Sequence, residues 1–162
     1  MPVCDTLLRL AEAGFFIPKW SPDILWEVAR VLQKFGKPPE QIAHREKQMN
    51  LAFEDALVVG YETLIDGMKN HPKDRHVLAA AVRAGADAIV TENLRDFPAE
   101  SLAPFGIEAQ NTDTFLMQQY NLAPDSFLEV LQEQAQERRL EYRQLIDLLT
   151  KVAPSLPGVI SA

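Results

Sequence analysis

Residues 73–98, KDRHVLAAAVRAGADAIVTENLRDFP, constrain this chain more than any other stretch. Asp74 opens an Ala-rich segment of helical character, and Gly85 supplies its stop. Residues 88–91 then form a short apolar run of the kind expected for a buried strand, followed by a polar loop that carries Asn93 and Asp96. A helix feeding directly into a buried strand is the unit of an open parallel sheet, where ligands bind beyond the carboxyl ends of the strands. An acid at the helix entrance and two oxygen-bearing side chains after the next strand can therefore converge on one hard cation.

The rest of the chain alternates in the same way. Leu7, Leu8, Leu10 and Ala11, closed by Gly14, predict a first helix, and Phe15-Phe16-Ile17 is a short apolar piece stopped by Pro18. Ser21-Pro22-Asp23 combines a hydroxyl cap, a proline at the first helical position and an acid in the first turn. The helix beyond it runs to about Phe35, with Ile24, Leu25, Val28, Val31, Leu32 and Phe35 on one face. A sparser amphipathic helix spans 39–52. Residues 56–59, between Asp55 and Gly60, read as a buried strand, a short helix covers 62–68, and 106–109 is a weaker strand. Thr112 is placed as the cap of a helix through Tyr120, Pro124 opens another to about Arg138, and a last amphipathic segment covers 140–152. Trp20 and Trp26 are expected in the core. Such alternation predicts an α/β fold with a parallel sheet.

Composition narrows the function classes. The chain's 162 residues suit one compact domain, and 47% apolar and 24% charged residues are ordinary for a globular protein. No apolar run approaches the roughly 20 residues of a membrane span. The start lacks the basic and then apolar pattern of a secretion signal, and the single cysteine, Cys4, can form no internal disulfide, so the reducing cytoplasm is the expected compartment. A net charge of −7 excludes broad coating of nucleic acid. Any RNA contact must be local or offset by bound cations, and a basic protein partner is compatible with the charge.

An Asp before an Ala-rich helix, a strand ending in Thr91-Glu92-Asn93, and then Asp96-Phe97 together resemble the PIN-domain family of metal-dependent ribonucleases. That family includes the toxin subunits of bacterial toxin–antitoxin pairs. The likeness extends back through residues 20–28 and forward to about Leu116. It implies a three-layer sandwich with a central, mostly parallel sheet, PIN-like, to which the C-terminal helices are appended. The expected division is a PIN-like domain over 1–122, a helical extension over 123–153 and an irregular tail over 154–162. PIN domains open with a hydrophobic strand carrying a first catalytic Asp. This chain starts at Met1-Pro2-Val3-Cys4-Asp5, already at a helix, so the domain is expected to be N-terminally incomplete, and Asp5 fits a helix cap instead.

Each candidate residue also has a plain structural role open to it. Asp74 suits a helix N-cap as well as a metal ligand. Asn93 and Asp96 suit a turn. Glu27 lies at the margin of its helix's apolar face, where a glutamate is ordinarily a solvated flank. The resemblance implies that Asp74, Asp96 and Glu27 hold Mg²⁺ or Mn²⁺ and that Asn93 orients water or substrate. Lys73, Arg75 and Arg95, beside Thr91 of the motif, form either a solvated rim or a set of phosphate contacts. His76 is a further possible base, although a two-metal site needs none.

The resemblance implies an endoribonuclease restrained by a small antitoxin, with RNA as substrate. The same resemblance, lacking the first strand, also leaves open a catalytically impaired module that binds protein or RNA. The slot of that strand, between 56–59 and 88–91, is expected to be filled by residues near Met1 to Cys4, by Phe15 to Ile17, or by a second copy in a homodimer, since unpaired buried amides are costly.

Overall fold

The computed structural model describes residues 1–160. In chain order its helices are α1 (Pro2–Glu12), α2 (Pro22–Lys34), α3 (Pro39–Ala52), α4 (Arg75–Ala84), α5 (Ala99–Leu102), α6 (Thr112–Leu122), α7 (Pro124–Glu137), α8 (Tyr142–Thr150) and α9 (Leu156–Ile160). Proline occupies the first turn of α1, α2, α3 and α7, where its missing N–H costs nothing. Ser21 caps α2 as its sequence implies, accepting from the Ile24 amide at 3.1 Å. The cap of α6 is Asn111, whose side chain accepts from Thr114, and not Thr112. Asparagine is the stronger cap and sits one residue earlier. The tail expected to be irregular carries α9, with Leu156 fully buried; residues 161 and 162 lie outside the described residues.

The strands are β1 (Ala88–Val90) and β2 (Glu108–Gln110), paired with each other. The amide of Glu108 donates to Asp87, and that of Thr91 to Gln110. Residues 56–59 are less than the strand their sequence suggests. Only Leu57 pairs, in a parallel bridge with Trp20, through Trp20 N to Ala56 O at 3.0 Å and Val58 N to Trp20 O at 2.8 Å. Ala56 and Val58 are buried while Leu57 and Val59 are exposed, so the run is covered on one face, not two. Residues 1–4 belong to the start of α1 and residues 15–17 form no strand, so neither segment takes the strand position expected of it.

The chain divides into two compact units. One comprises Pro18–Ile89 with Asn93–Ala109; the other comprises Met1–Ile17, Val90–Glu92 and the chain from Gln110 onward. The first has a core of Val58, Tyr61, Met68, Leu78, Ile89, Phe97, Leu102 and Ile107, with Ala79 and Ala80 of α4 giving the close approach that small residues allow. Within it α2 turns only Leu25 and Leu32 inward. Val28, Val31 and Phe35 of the expected apolar face stay exposed, and so does Trp26, under the Arg30 guanidinium, while Trp20 is buried with its indole N–H on Asn50. The second unit packs Leu10, Leu116, Phe127, Leu131, Leu145, Leu149 and Leu156 together. Its polar seam holds Asp5 between Arg9 and Arg138, with the fully buried Gln134 bonded to Thr6 at 2.8 Å.

Candidate metal centre

The turn before α4 is built to hold one carboxylate still. Pro72 fixes a 3₁₀ turn over Pro72–Asp74, and the Asp74 amide donates to the His71 carbonyl at 2.9 Å. Asn70, only 2% exposed, donates its side-chain amide to the Asp74 carbonyl at 2.9 Å, and Arg75 Nε donates back to the Asn70 carbonyl at 3.2 Å. Asp74 thus stands at the N-cap position of α4, but its side chain accepts no amide of that helix. The capping role open to it from sequence is not the one it takes.

Its carboxylate meets other acids instead. The His71 amide donates to the Asp96 carbonyl at 3.1 Å, which ties the loop after β1 to the turn before α4. That brings Asp96 into a hydrogen bond with Asp74, while Asn93 donates its side-chain amide to Asp96 Oδ2. Glu27, on α2, accepts from His76 Nε2 at 3.0 Å in the first turn of α4. The ligand atoms fall into two groups that share Asp74, namely Glu27, Asp74 and His76, and His71, Asp74 and Asp96, each within 4.8 Å.

Electrostatics follow from that placement. Burial pushes the Asp74 carboxyl up, as do its hydrogen bond to Asp96 and the charges of Asp96 and Glu27, against a smaller pull from Lys73. Partial burial pushes Asp96 up too, but the bonds from Asp74 and Asn93, with His71 and Lys73 nearby, hold it below its ordinary value. Of the two, Asp74 is therefore the carboxyl that takes up a proton more readily. Among the described residues no lysine or arginine forms an ion pair with Asp74. A buried carboxylate facing two acids needs either that proton or a cation. The donor set of carboxylate oxygens and imidazole nitrogens fits a divalent ion, and two buried atoms nearby, Asn70 Oδ1 and His76 Nδ1, have no hydrogen-bond partner.

Of the residues expected at the site, Asp74, Asp96, Glu27 and Asn93 are brought together. Lys73 and Arg95 stand exposed, Lys73 giving its amide to His71 Nδ1 at 3.3 Å, and Arg75 is half-buried with its Nε on Asn70. Thr91 follows β1 and donates its amide to Gln110. Sequence reading passed over His71 and Asn70. A His-Pro turn ending in the key acid, His71-Pro72-Lys73-Asp74, is the signal that points to His71.

A family model described as PIN domain matches residues 2–95, a stretch that contains Glu27, Asp74 and Asn93 and stops just before Asp96. A protein of Mycobacterium tuberculosis named "Putative ribonuclease VapC50" is 54% identical over 67 residues, 41% of this chain and 40% of that protein. The chain therefore spans well under half the length of that relative. No solved structure matches.

Proposed function

The chain belongs to the PIN-domain family, and from that premise we propose that it is a metal-dependent endoribonuclease, the toxin of a toxin–antitoxin pair. The observation that carries this reading is the buried Asp74, set beside Asp96 and Glu27 with no lysine or arginine among the described residues paired to it. Support also comes from the Mycobacterium tuberculosis relative, whose name is that of a ribonuclease. The small parallel sheet is read as the kernel of a three-layer sandwich, with the site beyond the carboxyl end of β1.

Asp74, Asp96 and Glu27 would hold Mg²⁺ or Mn²⁺. Such an ion supplies positive charge that offsets the charge developing on a phosphodiester under attack and makes water acidic enough to attack at neutral pH. The remaining work belongs to the chain. Asp74 is fixed by its turn, so its oxygens need no reorganisation on binding. Asn93 holds the Asp96 carboxylate in one rotamer. Lys73 and Arg95, both exposed, are read as contacts for flanking phosphates, and Arg75 supports the turn through its bond to Asn70. This local basic rim reconciles RNA binding with a net charge of −7. The same charge suits a basic antitoxin segment, and the exposed Leu57 and Val59 offer an edge that a second copy can extend in a homodimer.

The test is cleavage of RNA by the full-length gene product with Mg²⁺ or Mn²⁺, with and without EDTA. Cleavage should require the ion and vanish in Asp74→Ala and Asp96→Ala. Activity persisting in both folded variants refutes the assignment. Retention of RNA or of a protein partner without any cleavage by the wild type favours the impaired binding module. Sedimentation of the isolated chain as a monomer removes the homodimer.

A further inference from the structure

We propose that His71 and His76 are themselves metal ligands, one on each side of Asp74, and that they turn a carboxylate site into a mixed nitrogen–oxygen site selective for transition divalent ions over Mg²⁺. The inference rests on the metal reading above and adds the choice of ion. Each of the two groups of ligand atoms around Asp74 contains one histidine: His76 with Glu27, and His71 with Asp96. The His76 ring is only half accounted for by its protein partners. His76 uses Nε2 toward Glu27 and leaves Nδ1 buried without a partner. An ion held by Glu27 and His76 together would take the place of their hydrogen bond, with Nε2 as the ligand atom. The lone pair of His71 Nδ1 accepts the Lys73 amide at 3.3 Å, a long bond that an ion at that nitrogen would displace. Asn70, the neighbour of His71, is only 2% exposed and leaves Oδ1 unpartnered in the same turn.

The alternative is that His76 is simply an ion-pair partner for Glu27 and His71 a turn residue. That leaves the buried Nδ1 unexplained, at the cost expected of an unsatisfied polar atom. Carboxylates and water suit Mg²⁺, whereas imidazole suits the later first-row ions, so two nitrogen donors shift preference in a way that further acids do not.

Direct binding separates the cases. Isothermal titration of the metal-free full chain with Co²⁺ and, separately, with Mg²⁺ is compared for wild type, His71→Gln, His76→Gln and Asp74→Ala, each checked for fold by circular dichroism. Each histidine variant should lose about tenfold or more in Co²⁺ affinity with little change for Mg²⁺, which narrows the ratio between the ions. Pulsed EPR on Mn²⁺-loaded wild type should show nitrogen coupling that changes when histidine is ¹⁵N-labelled, a readout that needs no variant to fold. Unchanged Co²⁺ affinity in both variants, an equal loss for both ions, or no nitrogen coupling overturns the proposal. If Asp74→Ala binds either ion as the wild type does, the metal reading itself has failed, which is a different outcome.

Discussion

Replacing Asp74 by asparagine should stabilise the metal-free protein while abolishing its activity. Ligand atoms of Asp74 and Glu27 lie within 4.8 Å. At that distance two carboxylates repel by about 3.5 kcal/mol at an effective dielectric of about 20. The Glu27 side chain is 41% exposed, so solvent screening reduces the recoverable part to about 1–2 kcal/mol. Asparagine keeps an amide that can donate to Asp96 and removes the buried charge. The Asp74 pKa is raised in the folded state, chiefly by burial, so the protonated form favours folding. Stability is therefore lost as pH rises from the ordinary carboxylate value through the raised one. Asp96 acts in the opposite sense, since its depressed pKa gives stability above the ordinary value that disappears as pH falls through the folded one. In EDTA at about pH 8 the variant should melt roughly 2–8 °C above the wild type, with the gap closing toward about pH 4. Mn²⁺ should raise the wild-type midpoint and leave the variant nearly unmoved. Thermal melts followed by circular dichroism measure all of this. A variant that melts at or below the wild type in EDTA at about pH 8 refutes the argument that Asp74 is electrostatically frustrated.

Three further outcomes test the fold. Asp5→Ala should destabilise by about 1–2 kcal/mol in urea titration, because it strips bonds from Arg9, Arg138 and Gln134. Burial pushes the Asp5 carboxyl up, but the Arg138 hydrogen bond and both guanidinium charges hold it below its ordinary value. Its contribution is therefore present above that value and lost as pH falls through the depressed one, and the variant's deficit should shrink in strong acid. Leu131→Ala, at a position with no exposure, should cost about 2–5 kcal/mol with no change in the metal affinity of the folded fraction. Gly85→Ala should cost about 1 kcal/mol, because φ there is +65° and α4 stops in the left-handed conformation before β1.

Local chemistry made much of this legible in the chain itself. Ser21-Pro22-Asp23 starts a helix wherever it stands, because the cap, the fixed φ and the acid all act within one turn. Gly85 ends one for the same kind of reason, whereas Asp74, Asn93 and Asp96 pointed to a shared site only through the family resemblance, since each also suits a cap or a turn. Features left undetermined by the sequence depend on partners distant along the chain. The apolar stripe of α2 looked uniformly buried, yet Leu25 and Leu32 alone are fully covered, with Ile24 half-buried, since periodicity reports amphipathicity and not how wide a face its neighbours hide. The run at 56–59 could not reveal whether one face or both would be shielded. Asp74 itself could be cap or ligand by position alone. The side chain makes no cap bond, and the His71 amide bonding the Asp96 carbonyl, a contact between residues 25 apart in the chain, sets a second carboxylate against it. The same closure places His71 beside that pair, while the packing of α4 against α2 places His76 beside Glu27, two neighbours that no motif in the chain announces.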